Sequence, residues 1–328
     1  MDYFNEIDAG VDAVAEASIL CRKIQRSLNR FPSLKKEDLS PVTVADFASQ
    51  ALIISRIRKR FPTDVILGEE NSILLRTNTE YSKEILFFLH DHMKKISVND
   101  LWEIVDQGKS DLASTDRFWV IDPVDGTKGF LRGDQFAVAL SLIEAGEVRL
   151  GILGCPNLSD DTLGPSFRKG CILYAVKGGG TTIKFSEGQS TSPVFRSRNI
   201  QANAARMCES VEAGHSNHEL HEKVLKALGI KNRSLRIDSQ VKYAVLALEK
   251  ADIYLRVPRR NDYREKIWDH AAGAVILTES GGKVTDLTGR ILDFSKGKTL
   301  EANYGIAASA GGIHDQVLTA VAHSIPLS

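Results

Sequence analysis

Apolar residues Ile7, Val11, Val14, Ala15, Ile19 and Leu28 fall at helical spacing, so the chain should open with an amphipathic helix. That helix is expected to stop by Asn29, with Pro32 soon after. A second helix is predicted from near Thr43 to Arg60, with Phe47, Ala51, Ile54, Ile57 and Phe61 on one side and Pro62 closing it. Val65-Ile66-Leu67 predicts a short strand that delivers Gly68-Glu69-Glu70. Between 71 and about 116 the pattern gives one helical stretch, around 85–93. The polar region 106–117 is expected to be an exposed loop.

Phe118-Trp119-Val120-Ile121 has the look of a buried strand ending in two carboxylates, Asp122 and Asp125, held around Pro123 and Gly126. Proline restrains the residue before it, and glycine lets the backbone turn tightly. Segments 136–145 and 148–155 predict strands joined by an Ala-Gly-Glu turn, and 171–176 predicts another strand running into Gly178-Gly179-Gly180. No Gly-Lys-Ser/Thr follows those glycines, which excludes a nucleotide P-loop there. The polar, Ser-rich stretch 186–200 suggests a boundary between an N-terminal domain, 1–195, and a C-terminal domain, 196–328. Beyond it strands at 206–211, 235–237 and 253–257 alternate with helices at 220–228, 241–250 and 268–279. That alternation points to a layered α/β domain, after an α+β first half.

Composition narrows the function classes. Lysine plus arginine (42) equals aspartate plus glutamate (42), so no bulk positive field favours nucleic acid or an anionic membrane. The apolar runs fall far short of the ~20 residues needed to span a bilayer. The N-terminus lacks a basic leader followed by an apolar core, so the expectation is a cytoplasmic protein, or an organellar one if a leader has been removed. A monomer is expected. Cys21, Cys155, Cys171 and Cys208 lack zinc-type spacing and are expected to be reduced thiols. Cys155 and Cys171 flank one loop between strands, which leaves a redox-responsive pair as the other reading. His215, His218 and His221 cluster in sequence, without an acidic or thiol partner nearby to complete a zinc site.

Three acidic pieces sit where a strand meets a turn or a helix begins: Glu69-Glu70, Asp122 with Asp125, and Asp269 in Trp268-Asp269-His270-Ala271-Ala272-Gly273. Each has an ordinary explanation when taken singly. Asp269 suits a helix start, and Thr43-Val44-Ala45-Asp46 resembles a capping box. Brought together, these carboxylates would repel one another unless cations neutralised them. Oxygen ligands of this kind suit Mg²⁺, and the amides that follow can cradle a phosphate. A metal-dependent phosphatase is the first reading.

Asp122-Pro123-Val124-Asp125-Gly126-Thr127, Gly68-Glu69-Glu70 and Trp268–Gly273 resemble, in order and spacing, the lithium-sensitive, Mg²⁺-dependent phosphatases related to inositol monophosphatase and fructose-1,6-bisphosphatase. Three further pieces, 40–46, 129–134 and 238–243, resemble the 3'(2'),5'-bisphosphate nucleotidase branch. The likeness runs from about residue 3 to about 320. It implies a layered αβαβα sandwich and roughly two or three Mg²⁺ per active site. It also implies Glu69, Asp122, Asp125, Asp269 and the Val124 carbonyl as metal ligands, and Asp46 with Thr127 as the pair that deprotonates the attacking water. Glu70 would orient a ligand or a water. Thr127, His215, Ser239, Lys242, Arg256 and Asp269 would contact the substrate, while Lys128 and Arg132 either steer it or pair with nearby carboxylates. The implied reaction removes the 3'-phosphate of adenosine 3',5'-bisphosphate, giving AMP, with the sulfate-carrying relative as a second substrate. An inositol polyphosphate 1-phosphatase is the nearest alternative. A nucleotide sensor without turnover is a rival of another class, against which the Asp46/Thr127 pair argues.

Overall fold

The computed structural model describes residues 3–27, 33–36, 41–110, 112, 115–159, 170–185, 190–197, 199–211, 218–260 and 262–324. Helices α1 (Phe4–Gln25) and α2 (Val44–Arg60) pack together on one face of a seven-stranded sheet. The sheet runs in the order β3 (Val65–Gly68), β4 (Arg117–Asp125), β5 (Ala137–Glu144), β6 (Glu147–Cys155), β7 (Cys171–Val176), β8 (Gly180–Phe185) and β9 (Thr191–Val194). Only the first pair is parallel. A two-residue pair, β1 (Leu34–Lys35) with β2 (Pro41–Val42), precedes α2. Among the described residues between β3 and β4 lie helices α3 (Ile73–Thr77), α4 (Thr79–Leu89) and α5 (Val98–Asp106). A one-turn helix, α6 (Thr127–Leu131), follows β4.

The second sheet has five strands in the order β11 (Leu235–Arg236), β10 (Met207–Glu209), β12 (Ile253–Arg256), β14 (Ile306–Ala310) and β13 (Gly282–Thr285). Helices α8 (Val241–Ala247) and α9 (Ala271–Glu279) lie between the sheets and contribute to one shared apolar core. Helices α7 (His218–Ala227) and α10 (His314–Ser324) cover the outer face of the second sheet. The expected αβαβα layering is therefore present. Strand β4 shows why its sequence is continuously apolar: Trp119 and Ile121 face the core under α1 and α2, while Phe118 and Val120 face the core shared with α8 and α9.

Several boundaries differ from the sequence pattern. Helix α1 ends at Gln25, and Leu28, Asn29 and Pro32 lie outside the described residues. Part of the region expected to be a loop belongs to a helix, because α5 reaches Asp106. A Ser97–Asp100 capping box starts α5, and Leu101 and Val105 are buried under it. The stretch expected around 85–93 is α4, displaced toward the N-terminus because Asn78 caps it. Strand β4 does not end before Asp122; it continues through Asp125, with the register broken between the two aspartates. Cys155 and Cys171 stand directly opposite each other across β6 and β7 as buried free thiols. Among the described residues no helix is long and apolar enough to cross a membrane.

Candidate active site

The parallel pairing of β3 and β4 sets Gly68 beside Ile121, so both acidic segments leave the sheet at the same edge. Glu69 N donates to Ile121 O at 3.2 Å. Any side chain at 68 would strike the Gln50 amide, at 2.6 Å from a β-carbon. That amide donates to Glu70 O and accepts from Glu70 N at 2.8 and 2.9 Å. The close approach requires glycine and fixes the Glu69-Glu70 backbone. Lys36 Nζ then bridges the pair, 2.6 Å from Glu69 Oε1 and 2.5 Å from Glu70 Oε1. Burial opposes its charge, but the two carboxylates hold it protonated well above its ordinary range.

Asp46 uses its two carboxylate oxygens differently. Its Oδ2 accepts from Thr43 N at 2.8 Å and Thr43 Oγ1 at 2.6 Å, completing the capping box. Its Oδ1 faces Thr127, whose hydroxyl lies 3.4 Å away and also 3.3 Å from Val124 O. Burial raises the Asp46 carboxyl to about 6.

The break in β4 turns Asp125 toward the second sheet, where its Oδ2 accepts from Gln240 N at 2.5 Å. Gln240 also ties in the Asp269 segment, donating from its side chain to Trp268 O at 2.8 Å and accepting from Gly273 N at 3.0 Å. Ser239 takes a left-handed conformation, φ 67°, and packs against Gly126, φ 87°. A β-carbon on Gly126 would lie 2.9 Å from that of Ser239, so only glycine lets the two segments touch. Asp238 steadies this loop by accepting from Val211 N at 3.1 Å and from Arg132. Arg132 also pairs with Asp134 at 2.9 Å, so the carboxylate-pairing alternative holds for it.

These pieces enclose a cavity of about 630 Å³ whose lining includes Glu69, Asp122, Val124, Asp125, Thr127 and Asp269 together with Ser239, Lys242 and Arg256. The structure thus brings together the residues singled out from sequence, with Asp46 behind Thr127 and Glu70 behind Lys36. His215 lies outside the described residues. His221 is buried with Nδ1 3.3 Å from Glu209 Oε2, so an acidic partner exists where the sequence suggested none.

A hard cation fits the acidic side. Asp122 Oδ1 is buried and accepts no hydrogen bond. Burial and neighbouring carboxylates push Asp122 and Asp269 well above the usual carboxylate range, and burial raises Asp125 to about 6 against the pull of Lys242. A divalent ion at these oxygens would restore their charge. Glu265, Asp269 and His270 also offer ligand atoms within 4.8 Å of one another. Glu265, however, is engaged with Arg256 and His270, leaving Asp269 as the carboxylate of that trio free to serve the cavity.

Sequence reasoning assigned no role to Lys36, Gln240, Glu265 or His270. Gln240 and His270 stand inside motifs already quoted, which was the available signal. Lys36 and Glu265 look like ordinary surface charges in sequence.

Residues 3–326 match the inositol monophosphatase family model. The chain belongs to the inositol monophosphatase family. It is 42% identical to a 3'(2'),5'-bisphosphate nucleotidase of Emericella nidulans, covering 98% of both chains. It is 41% identical to 3'(2'),5'-bisphosphate nucleotidase 1 of Candida albicans, covering 97% of this chain and 95% of that protein. The fold resembles an IMPase from Thermotoga maritima, with TM-score 0.67 at 23% identity over 98% of each chain. An inositol monophosphatase from Anabaena gives 0.62 at 20% identity, over 98% of this chain and 96% of the other.

Proposed function

We propose that the protein is a Mg²⁺-dependent, lithium-sensitive 3'(2'),5'-bisphosphate nucleotidase that converts adenosine 3',5'-bisphosphate to AMP and phosphate. The observation that carries this reading is a single cavity lined both by the carboxylates of Glu69, Asp122, Asp125 and Asp269 and by Lys242, Arg256 and Ser239. A phosphomonoester would be served by the carboxylates through bound metal, and a second anion by the basic groups. Glu69, Asp122, Asp125, Asp269 and Val124 O would hold Mg²⁺. Its chemistry when bound is to polarise a phosphoryl oxygen and lower the pKa of water. Thr127 Oγ1 and Asp46 Oδ1 would orient the attacking water and take its proton. Lys242 and Arg256 would bind the phosphate that is not cleaved, Ser239 would donate to it, and His215 would lie against the nucleoside.

Phosphate release with Mg²⁺, comparing adenosine 3',5'-bisphosphate with inositol 1,4-bisphosphate, each with and without Li⁺, tests the proposal. Lithium-sensitive preference for the nucleotide supports it. Preference for the inositol keeps the metal chemistry and overturns the substrate, and no release from either overturns both.

A further inference from the structure

Arg256 is a cation carried on the end of β12 into a buried wall of the cavity. Burying such a charge is unfavourable unless it is paired and hydrogen-bonded. Its Nε lies 3.2 Å from Glu265 Oε1 and 3.1 Å from Glu265 Oε2, so one carboxylate receives this edge of the guanidinium with both oxygens. Glu265 is itself buried, and its Oε2 lies 3.4 Å from His270 Nε2. The other ring nitrogen, His270 Nδ1, is 2.9 Å from the Tyr243 hydroxyl. Tyr243 packs edge-on against Tyr254, over which Lys242 Nζ sits at 5.1 Å. A continuous chain of contacts, Tyr243–His270–Glu265–Arg256, thus runs from the core to the basic wall.

Resting on the reading above that Arg256 meets the uncleaved phosphate, we propose that Glu265, braced by His270, is a specificity-determining positioning residue that sets the enzyme's preference for bisphosphates over monophosphates. Glu265 does not line the cavity; its carboxylate stands behind Asp269, within 4.8 Å of it, and is engaged with Arg256 and His270. By holding the Nε edge it orders the guanidinium before substrate arrives, so that less freedom is lost on binding the second anion. A phosphomonoester without that anion gains nothing from the arrangement.

The test measures kcat and KM for adenosine 3',5'-bisphosphate against adenosine 3'-monophosphate, and for inositol 1,4-bisphosphate against inositol 1-phosphate. Wild type, Glu265→Gln, Glu265→Asp, Arg256→Gln and the Glu265→Gln/Arg256→Gln double variant are compared, with melting temperatures recorded for each. The preferred pair identifies the substrate, and the change in the bisphosphate-to-monophosphate ratio decides the role of Glu265. Glu265→Gln is expected to lower that ratio about tenfold or more, through KM, because a charge-assisted contact is lost. Adding it to Arg256→Gln should change the ratio less than about twofold, since both act through one contact. Glu265→Asp should recover part of the preference, and it carries the test if Glu265→Gln does not fold. A ratio unchanged in the single variants, or an equal loss for bisphosphate and monophosphate, overturns the inference.

Discussion

Asp46 Oδ1 lies 3.4 Å from Thr127 Oγ1, although the two residues stand on separate helices and their segments are far apart in sequence. The second carboxylate oxygen is fully used in capping α2, so the helix start aims the first oxygen at the threonine. One oxygen is committed to the helix cap, and the other is left for the role proposed for it beside Thr127.

Asp46→Asn keeps an acceptor for the cap but loses the base. It should lower kcat about 100-fold or more with little change in melting temperature, as expected for removal of a general base. Thr127→Ala should show a loss of similar order. A kcat within threefold of wild type for Asp46→Asn, measured by phosphate release, would rule out the base assignment.

The acidic wall should make stability depend on pH and on metal together. Burial raises Asp46 and Asp125 to about 6, above their ordinary value in the unfolded chain. The folded metal-free protein then binds more protons than the unfolded chain between pH about 4 and about 6. Its stability is full below that window and declines as pH rises through it. Melting in EDTA should therefore occur at a lower temperature at neutral pH than at pH about 5, and Mg²⁺ should raise it more at neutral pH. Asp122→Asn replaces a buried carboxyl whose ionisation the cluster opposes with a neutral amide, so it should weaken the pH dependence of melting in EDTA and the stabilisation by Mg²⁺ while abolishing turnover. A melting temperature in EDTA that is flat across this window would contradict the account.

Much of this site was legible in the sequence because its residues sit at places local physics marks. Asp122 and Asp125 follow an apolar run, Glu69 follows a short strand, and Thr43–Asp46 has the spacing of a cap. Gly126 was equally readable as a tight turn, but its contact with Ser239 was not, because it depends on how two sheets stack. The same holds for Gln240, whose three hydrogen bonds join segments separated along the chain. Glu265 was invisible for a related reason: a carboxylate in a polar stretch reads as solvated until the fold buries it against Arg256. Helix α5 was missed although the Ser97–Asp100 capping box and the apolar Leu101, Trp102, Ile104 and Val105 carried its signal.

Gly126→Ala tests the contact between the two motifs. The substitution forces a side chain into a left-handed conformation and into the Ser239 β-carbon. It should destabilise the protein by about 1–3 kcal/mol. Because the shift separates Thr127 from the Ser239 loop, kcat and KM should both worsen. Calorimetry together with kinetics checks this, and a variant with wild-type values for both would show that the contact can relax freely.

Lys242 offers the sharpest division between binding and chemistry. It is buried beside the Tyr254 ring, and burial lowers its pKa against the attraction of Asp125. In the proposed orientation a substrate phosphate would give this ammonium a second partner, whereas the cleaved phosphate would lie among the carboxylates. Lys242→Met fills much of the same volume without the charge, so the fold should survive. KM for adenosine 3',5'-bisphosphate should rise about 10- to 100-fold, the size expected for a charged hydrogen bond of about 1.5–3 kcal/mol. KM for adenosine 3'-monophosphate should stay within about twofold, since that substrate lacks the anion in question. Equal increases for both substrates would place Lys242 at the reacting phosphate instead, and would reverse the orientation proposed for the nucleotide.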